Sequence, residues 1–112
     1  MSPETPKAIK RLVREWAGIA HERDLRQELG ALHGQFGRWE RGEITTFELN
    51  DFVHQFQDGA SREIWKRYAT NHLEPAVASA VTLGVLRKEE LPRELLQHIA
   101  ALIEFYEADQ SA

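Results

Sequence analysis

The sequence predicts an all-α protein, folded as a compact single-domain bundle or orthogonal array of five to six short helices. Apolar residues recur along most of the chain at spacings of three and four, which is the repeat of an amphipathic helix. No stretch alternates apolar and polar residues over the length of a strand. Glycine, proline and threonine residues interrupt the helical pattern at intervals, so the pattern divides into short segments.

The first helix is predicted to have Thr5 as its N-cap and Pro6 at its first position, where a missing N–H costs nothing. Its apolar residues recur at helical spacing and therefore form one face. That face consists of Ile9, Leu12, Val13, Trp16, Ile19 and Ala20. The opposite face is basic.

The second predicted helix, about residues 24–41, carries Gly30, Gly34 and Gly37 on its polar side. Its predicted apolar side consists of Leu25, Leu29, Leu32, Phe36 and Trp39. Each glycine costs about 1 kcal/mol relative to alanine in a helix interior. If the helix is continuous, the three glycines form a shallow trough that another backbone or a flat ligand can approach closely. If the helix is broken near Gly34, the same residues form a turn. The sequence leaves both interpretations open.

The clearest helix boundary lies between residues 42 and 48. Gly42 can take the left-handed conformation that ends a helix, and Thr45 with Glu48 three residues later fits a capping box. A third helix is therefore predicted over about residues 46–57, with Asp58-Gly59 as its stop. Its predicted inward residues are Phe47, Leu49, Phe52, Val53 and Phe56.

The remaining segments follow the same logic. Ser61 is predicted to cap a fourth helix, and Pro75 predicts a fresh helix start because proline cannot continue a helix. A strip of small apolar residues follows and is predicted to end near Gly84. The last helix is predicted over about residues 91–107. Its predicted core residues are Leu95, Leu96, Ile99, Leu102, Ile103 and Tyr106.

Composition limits the class of protein. The chain has 112 residues, 42% hydrophobic and 29% charged, which indicates one globular domain over residues 1–112 with fraying at 1–4 and 110–112. It contains no cysteine, which excludes disulfides and thiolate chemistry. No apolar run approaches the roughly 20 residues that cross a bilayer. The first residues lack the pattern of a secretory signal, so we expect a cytoplasmic protein without a membrane span.

Asp51, His54 and Asp58 are the candidate catalytic and metal-ligating residues, because offsets of three and seven place them on one strip of a helix. Two carboxylates beside an imidazole can bind a divalent metal or form an acid–base pair. A metal site also needs further ligands, which the sequence does not assign. The favoured interpretation is a polar strip in contact with water. The alternative is a metal-dependent or acid–base enzyme, and no cofactor is expected.

Lys7, Lys10, Arg11 and Arg14 form a basic stripe on the first helix and are the candidate partner-binding residues. Cations near a helix N-terminus oppose the macrodipole by roughly a few tenths of a kcal/mol. The stripe suits a phosphate backbone, an anionic membrane surface or an acidic protein, and a merely solvated face is the competing interpretation. The net charge of −4 does not favour general nucleic-acid binding.

The expected function is that of a non-catalytic protein-interaction or regulatory module, whose partner is another protein or a second copy of the chain. The sequence contains no phosphate-binding glycine loop and no nucleophile elbow. Nucleic-acid association through the basic stripe is a second alternative, and it would weaken steeply with salt. Five aromatic residues are expected in the core, with one or two left exposed as partner anchors: Trp16, Trp39, Trp65, Tyr68 and Tyr106.

Overall fold

The computed structural model describes residues 5–111, with side chains as far as Asp109. Over this range the protein is all-α, as predicted, and contains no strand. The predicted fraying at residues 1–4 and 112 lies outside the described residues, and the last helix continues to Ser111.

Four helices, fewer than the predicted five to six, make up the part of the chain that the structure describes. Helix α1 spans Lys7–Glu40, and helix α2 spans residues 46–68. Helix α3 spans Glu74–Thr82, and helix α4 spans Arg93–Ser111. A single 3₁₀ turn, Lys88–Glu90, lies between α3 and α4.

Helix α1 corrects the prediction of two separate helices before residue 41. It is one helix of 34 residues, and it passes without interruption through Gly30, Gly34 and Gly37. No glycine or proline occurs between His21 and Asp24, where the two predicted helices were divided. The continuous-helix interpretation of the three glycines is therefore the one that the structure supports.

Helix α2 corrects the predicted stop at Asp58-Gly59. The chain is α-helical over Thr46–Gln55, π-helical over Phe56–Ser61 and α-helical again over Arg62–Tyr68. Ser61 makes no side-chain capping hydrogen bond. A wider π turn keeps a helix continuous with i→i+5 hydrogen bonds, so one glycine is insufficient to end it.

The turn between α1 and α2 confirms the predicted boundary. Gly42 has a φ of 75°, in the left-handed region. The Glu48 backbone N–H donates to Thr45 Oγ1 over 3.0 Å, and the Thr45 backbone N–H donates to Glu48 Oε1 over 3.0 Å. This reciprocal pair is the predicted capping box, and it sets the start of α2.

We expect Thr45→Ala to lower the free energy of unfolding by about 1 kcal/mol, because the Glu48 N–H loses its capping acceptor. Urea denaturation followed by circular dichroism measures this loss. Thr46→Ala is the neighbouring control, since Thr46 follows the cap and its Oγ1 accepts a hydrogen bond from the exposed Trp39 indole. Equal stabilities for the wild type and Thr45→Ala would contradict the capping role.

The chain divides into two compact units. Unit 1 comprises the chain up to His21 and from Thr70 onward, and unit 2 comprises Glu22–Ala69. In unit 1, α3 packs against α4. Leu95 and Ile99 are fully buried, as predicted, and Gly84 ends α3 with a φ of 81°. The other fully buried large side chains of this unit are Val77 and Leu86.

Unit 2 is a hairpin formed by the second half of α1 and by α2. The Trp39 indole N–H donates to Thr46 beside the turn, and Arg67 pairs with Asp24 at the far end, so the two helices run antiparallel. Among its described hydrophobic side chains, Ile44, Leu49 and Ile64 are buried.

The five exposed large hydrophobic side chains of unit 2 are all predicted to lie on apolar faces, and Phe47 and Trp65 are the most exposed of them. Phe47 is 82% exposed and Trp65 is 66% exposed. Phe47 lies two residues before the buried Leu49, which is about 200° around the helix, so the two side chains cannot share one face. Trp65 follows the buried Ile64 by about 100° and therefore lies beside the core of the hairpin.

Candidate functional site

Asp51, His54 and Asp58 are all exposed on unit 2, and no hydrogen bond or ion pair joins them. Asp51 and His54 lie on the first α-helical part of α2, whereas Asp58 lies in the π turn, which departs from the regular repeat. Within residues 5–109, no three histidine, aspartate or glutamate side chains lie close enough together to hold a metal ion. The structure therefore brings no further ligand to this strip.

The basic stripe lies on the exposed face of α1 in unit 1. Lys7, Lys10, Arg11 and Arg14 are all exposed and border one surface depression together with Glu15. Their neighbours in the described part of the chain supply no ion-pair partner to any of the four. The four cationic side chains are therefore exposed without an ion pair among the described residues, and the Glu15 side chain lies beside them.

Unit 2 is held together by a polar cluster at the open end of the hairpin. Asp24 Oδ2 accepts a hydrogen bond from the Tyr68 hydroxyl over 2.6 Å and from Arg67 Nη1 over 3.0 Å. The Asp24 side chain is only 12% exposed. Burial, followed by the hydrogen bond to Asp24, raises the pKa of the Tyr68 hydroxyl well above its usual value. The hydroxyl is therefore a stable donor, and the cluster fixes α2 against α1.

The hairpin exposes more large apolar side chains than unit 1 does. Seven large hydrophobic residues are exposed within the described range, and five of them belong to unit 2. These five are Leu29, Phe36, Trp39, Phe47 and Trp65. Isolated exposed hydrophobic residues are ordinary. Unit 2, by contrast, exposes five large apolar side chains and buries three, so its apolar surface is only partly covered.

Several apolar side chains lie on one side of the seam between α1 and α2, and we call them the hairpin flank. Its members are Leu25, Leu29, Phe36 and Trp65. Each member directly follows a residue that is buried or half-buried between the two helices. Successive side chains of an α-helix are rotated by about 100° about its axis, so each member lies about 100° around its helix from the contact. Because the two helices run antiparallel, this rotation places the members from both helices on the same side of the hairpin.

A surface depression of about 420 Å³ lies along the outer face of α1 and borders the hairpin flank at Leu25 and Leu29. Leu25, Leu29 and Gly30 supply its apolar lining. The polar lining comes from His33 and from Glu22 and Arg26, which form an ion pair with a distance of 2.8 Å. A Cβ atom built on Gly30 would meet no atom within 4 Å, so nothing within the hairpin fills this space.

Comparison with known proteins identifies no relative. The chain matches no family model, no curated protein and no solved structure. None of the described helices is both long enough and apolar enough to cross a membrane. The surfaces of the molecule itself are therefore the basis for its proposed function.

Sequence reasoning missed the hairpin flank because it assigned the apolar residues of the second predicted helix to the core. The residues that lie between the two helices on α1 include polar ones. Three half-buried polar residues lie one position before flank residues, and they are Asp24, Glu28 and Gln35. The contact with α2 is thus centred on the border between the polar and apolar faces of α1. Helix α2 therefore leaves part of the apolar face of α1 uncovered.

Proposed function

We propose that the chain is a non-catalytic protein-interaction module that binds a protein partner through the hairpin flank. The observation that carries this proposal is that three exposed large apolar side chains, Leu29, Phe36 and Trp65, lie on the hairpin flank of a unit that buries only three. Contiguous exposed apolar surface rimmed by polar residues is typical of docking sites. Trp and Phe side chains are also the residue types enriched at the centre of protein interfaces.

Trp65 is the expected anchor of this surface. It is 66% exposed, and none of the described residues makes a hydrogen bond or ring contact with it. A buried tryptophan normally finds an acceptor for its indole N–H, and tryptophan is the residue type most enriched among interface hot spots. A partner that covers Trp65 would supply both the apolar contact and the acceptor that the hairpin lacks.

Hydroxyl-radical footprinting tests the proposed function directly. The reference is the oxidation rate of Trp65 in dilute purified protein. We expect this rate to fall severalfold either in concentrated purified protein or in native lysate. Phe105 is the matched internal control, because it is 64% exposed and belongs to unit 1. Its oxidation rate should stay constant. Unchanged reactivity of Trp65 under both conditions would overturn the proposed function.

The basic stripe favours a second candidate function, which is recognition of an anionic partner. Four cations without ion-pair partners lie within two turns of α1 in the described structure. Their mutual repulsion and the helix macrodipole both oppose this arrangement. Binding to phosphates through these residues would release counterions, so the affinity should fall steeply with salt. Binding that is indifferent to salt would contradict this second function.

A further inference from the structure

A cleft of about 190 Å³ lies between α1 and α2 within the hairpin. Both helices line this cleft, and no member of the hairpin flank does. Its large apolar side chains are Leu32 on α1 and Phe52 and Phe56 on α2. A cavity of about 150 Å³ is enough to hold a benzene ring, so the cleft has room for a ligand with one ring.

Glu28 gives the cleft a negative charge. Its side chain is half-buried and makes no hydrogen bond or ion pair with any residue that the structure describes. Asp24, one turn earlier on the same face of α1, has Arg67 and Tyr68 of α2 as partners. Among the described residues, no lysine, arginine or histidine lines the cleft. Because burying a charge is costly unless the charge is paired, the cleft favours a cationic ligand.

The π turn of α2 forms one wall of the cleft. Phe56 and Ala60 belong to this turn, and both line the cleft. Phe56, Ala60, Ile64 and Tyr68 are buried or half-buried at intervals of four residues. Four residues of an α-helix exceed one full turn by about 40°, and the wider π turn offsets this drift. Such turns are frequent at functional sites, which supports a binding role for the cleft.

A primary ammonium group suits the polar side chains of the cleft. It has one positive charge and three N–H donors. The acceptors that line the cleft are the Glu28 carboxylate and the side-chain carbonyls of Gln35 and Gln55. Gln35 Oε1 accepts a hydrogen bond from Arg38 over 2.9 Å, and a carbonyl oxygen can accept a second one. The phenylalanine rings add apolar contact and cation–π attraction.

We propose that this cleft binds a small aromatic primary amine, with the ammonium group at Glu28 and the ring against Phe52 and Phe56. The inference goes beyond the proposed function and does not rest on it, because the cleft and the hairpin flank share no residue. The charge of the ligand complements that of Glu28, which is the only charged side chain among the described residues that line the cleft.

Titration with phenethylamine at neutral pH, followed by NMR of the backbone amides, tests this site. We expect saturable shifts of the amides of α1 and α2 around the cleft and constant shifts for α4 in unit 1. Phenethylamine has about nine non-hydrogen atoms, so we expect a dissociation constant on the order of millimolar.

Glu28→Gln should weaken the binding of phenethylamine about tenfold, because it removes the charge and keeps the size of the side chain. Glu40→Gln is the matched control, since it makes the same change on the same helix outside the cleft. It should retain the wild-type dissociation constant. Ala60→Leu should weaken binding by filling the cleft from α2. Circular dichroism of the three variants establishes that each remains folded.

Three related compounds define the chemical class of the ligand. Phenylethanol has the same ring without the charge, and phenethyltrimethylammonium has the charge without an N–H donor. The amide of N-acetyl-lysine carries the ammonium group of a polypeptide lysine without a ring. Each compound should bind more weakly than phenethylamine, by about tenfold if it lacks a charged hydrogen bond.

Four outcomes would overturn this site. The first is the absence of saturable shifts at phenethylamine concentrations far above millimolar. The second is equal affinity of the wild type and Glu28→Gln. The third is binding that Ala60→Leu leaves unchanged, which would place the ligand elsewhere. The fourth is equal affinity for any of the three related compounds, which would exclude an aromatic primary amine as the preferred ligand. None of these outcomes changes the result expected for Trp65 in footprinting.

Discussion

Ile99→Ala is expected to lower the free energy of unfolding by about 2–5 kcal/mol. Ile99 on α4 is fully buried, and so is Leu95 one turn earlier. Truncating the side chain removes apolar contacts and leaves a cavity that the surrounding helices only partly close. Globular domains have total stabilities of about 5–15 kcal/mol, so the loss is a large fraction of the whole.

Thermal or urea denaturation of the Ile99→Ala variant measures the effect. The melting temperature should fall by several degrees for each kcal/mol lost, as is usual for a domain of about 100 residues. Leu83→Ala is the control, because Leu83 lies in the same unit and is 56% exposed. A variant that melts together with the wild type would show that α4 does not carry the core of unit 1.

Asp24→Ala is expected to open the hairpin. The change leaves Arg67 and the Tyr68 hydroxyl without their shared acceptor, and losing a partly buried charged acceptor costs about 1–3 kcal/mol. Hydrogen exchange followed residue by residue should show faster exchange of the α2 amides, whereas the α4 amides in unit 1 should keep their protection.

Glu22→Ala is the control for Asp24→Ala. It breaks the Glu22–Arg26 ion pair on the same helix. Both side chains of this pair are largely exposed, and such surface ion pairs contribute little to stability. Tyr68→Phe separates the contribution of the hydroxyl from that of Arg67. If the α2 amides exchange equally in Asp24→Ala and the wild type, the cluster does not determine the stability of the hairpin.

The elements that the sequence predicted correctly have strong local signals. Gly42, Thr45 and Glu48 define the start of α2 through backbone conformation and capping, which depend only on neighbouring residues. Helix α3 begins at Glu74 with Pro75 in its first turn, and Gly84 lies just after its end, for the same reason. Burial of Leu95 and Ile99 followed from the strength of the apolar repeat on α4.

The helix boundaries that the sequence missed have weak local signals. The polar residues around His21 and the Asp58-Gly59 pair favour a stop, but neither forbids a helix, and the structure carries both segments through as helix. A glycine costs about 1 kcal/mol in a helix interior, which the packing of a long helix readily offsets. Local preference was therefore overruled by the continuity of the hairpin.

The hairpin flank shows why the candidate site was hard to predict. Polar residues such as Asp51 and His54 attract attention as chemistry, while Leu29 and Trp65 match a core pattern. Whether an apolar stripe is covered depends on which helix lies against it and at what angle. This information resides in tertiary structure and is not available from the periodicity of a single helix.

The small core of unit 2 has a consequence for the lifetime of the protein. A unit with so few buried side chains belongs to the low end of local stability, so it opens before the rest of the chain. Under the proposed function, a bound partner adds stability by mass action, in proportion to the logarithm of the partner's concentration. Binding would then protect the hairpin from proteolysis, and copies without a partner would be cleaved first.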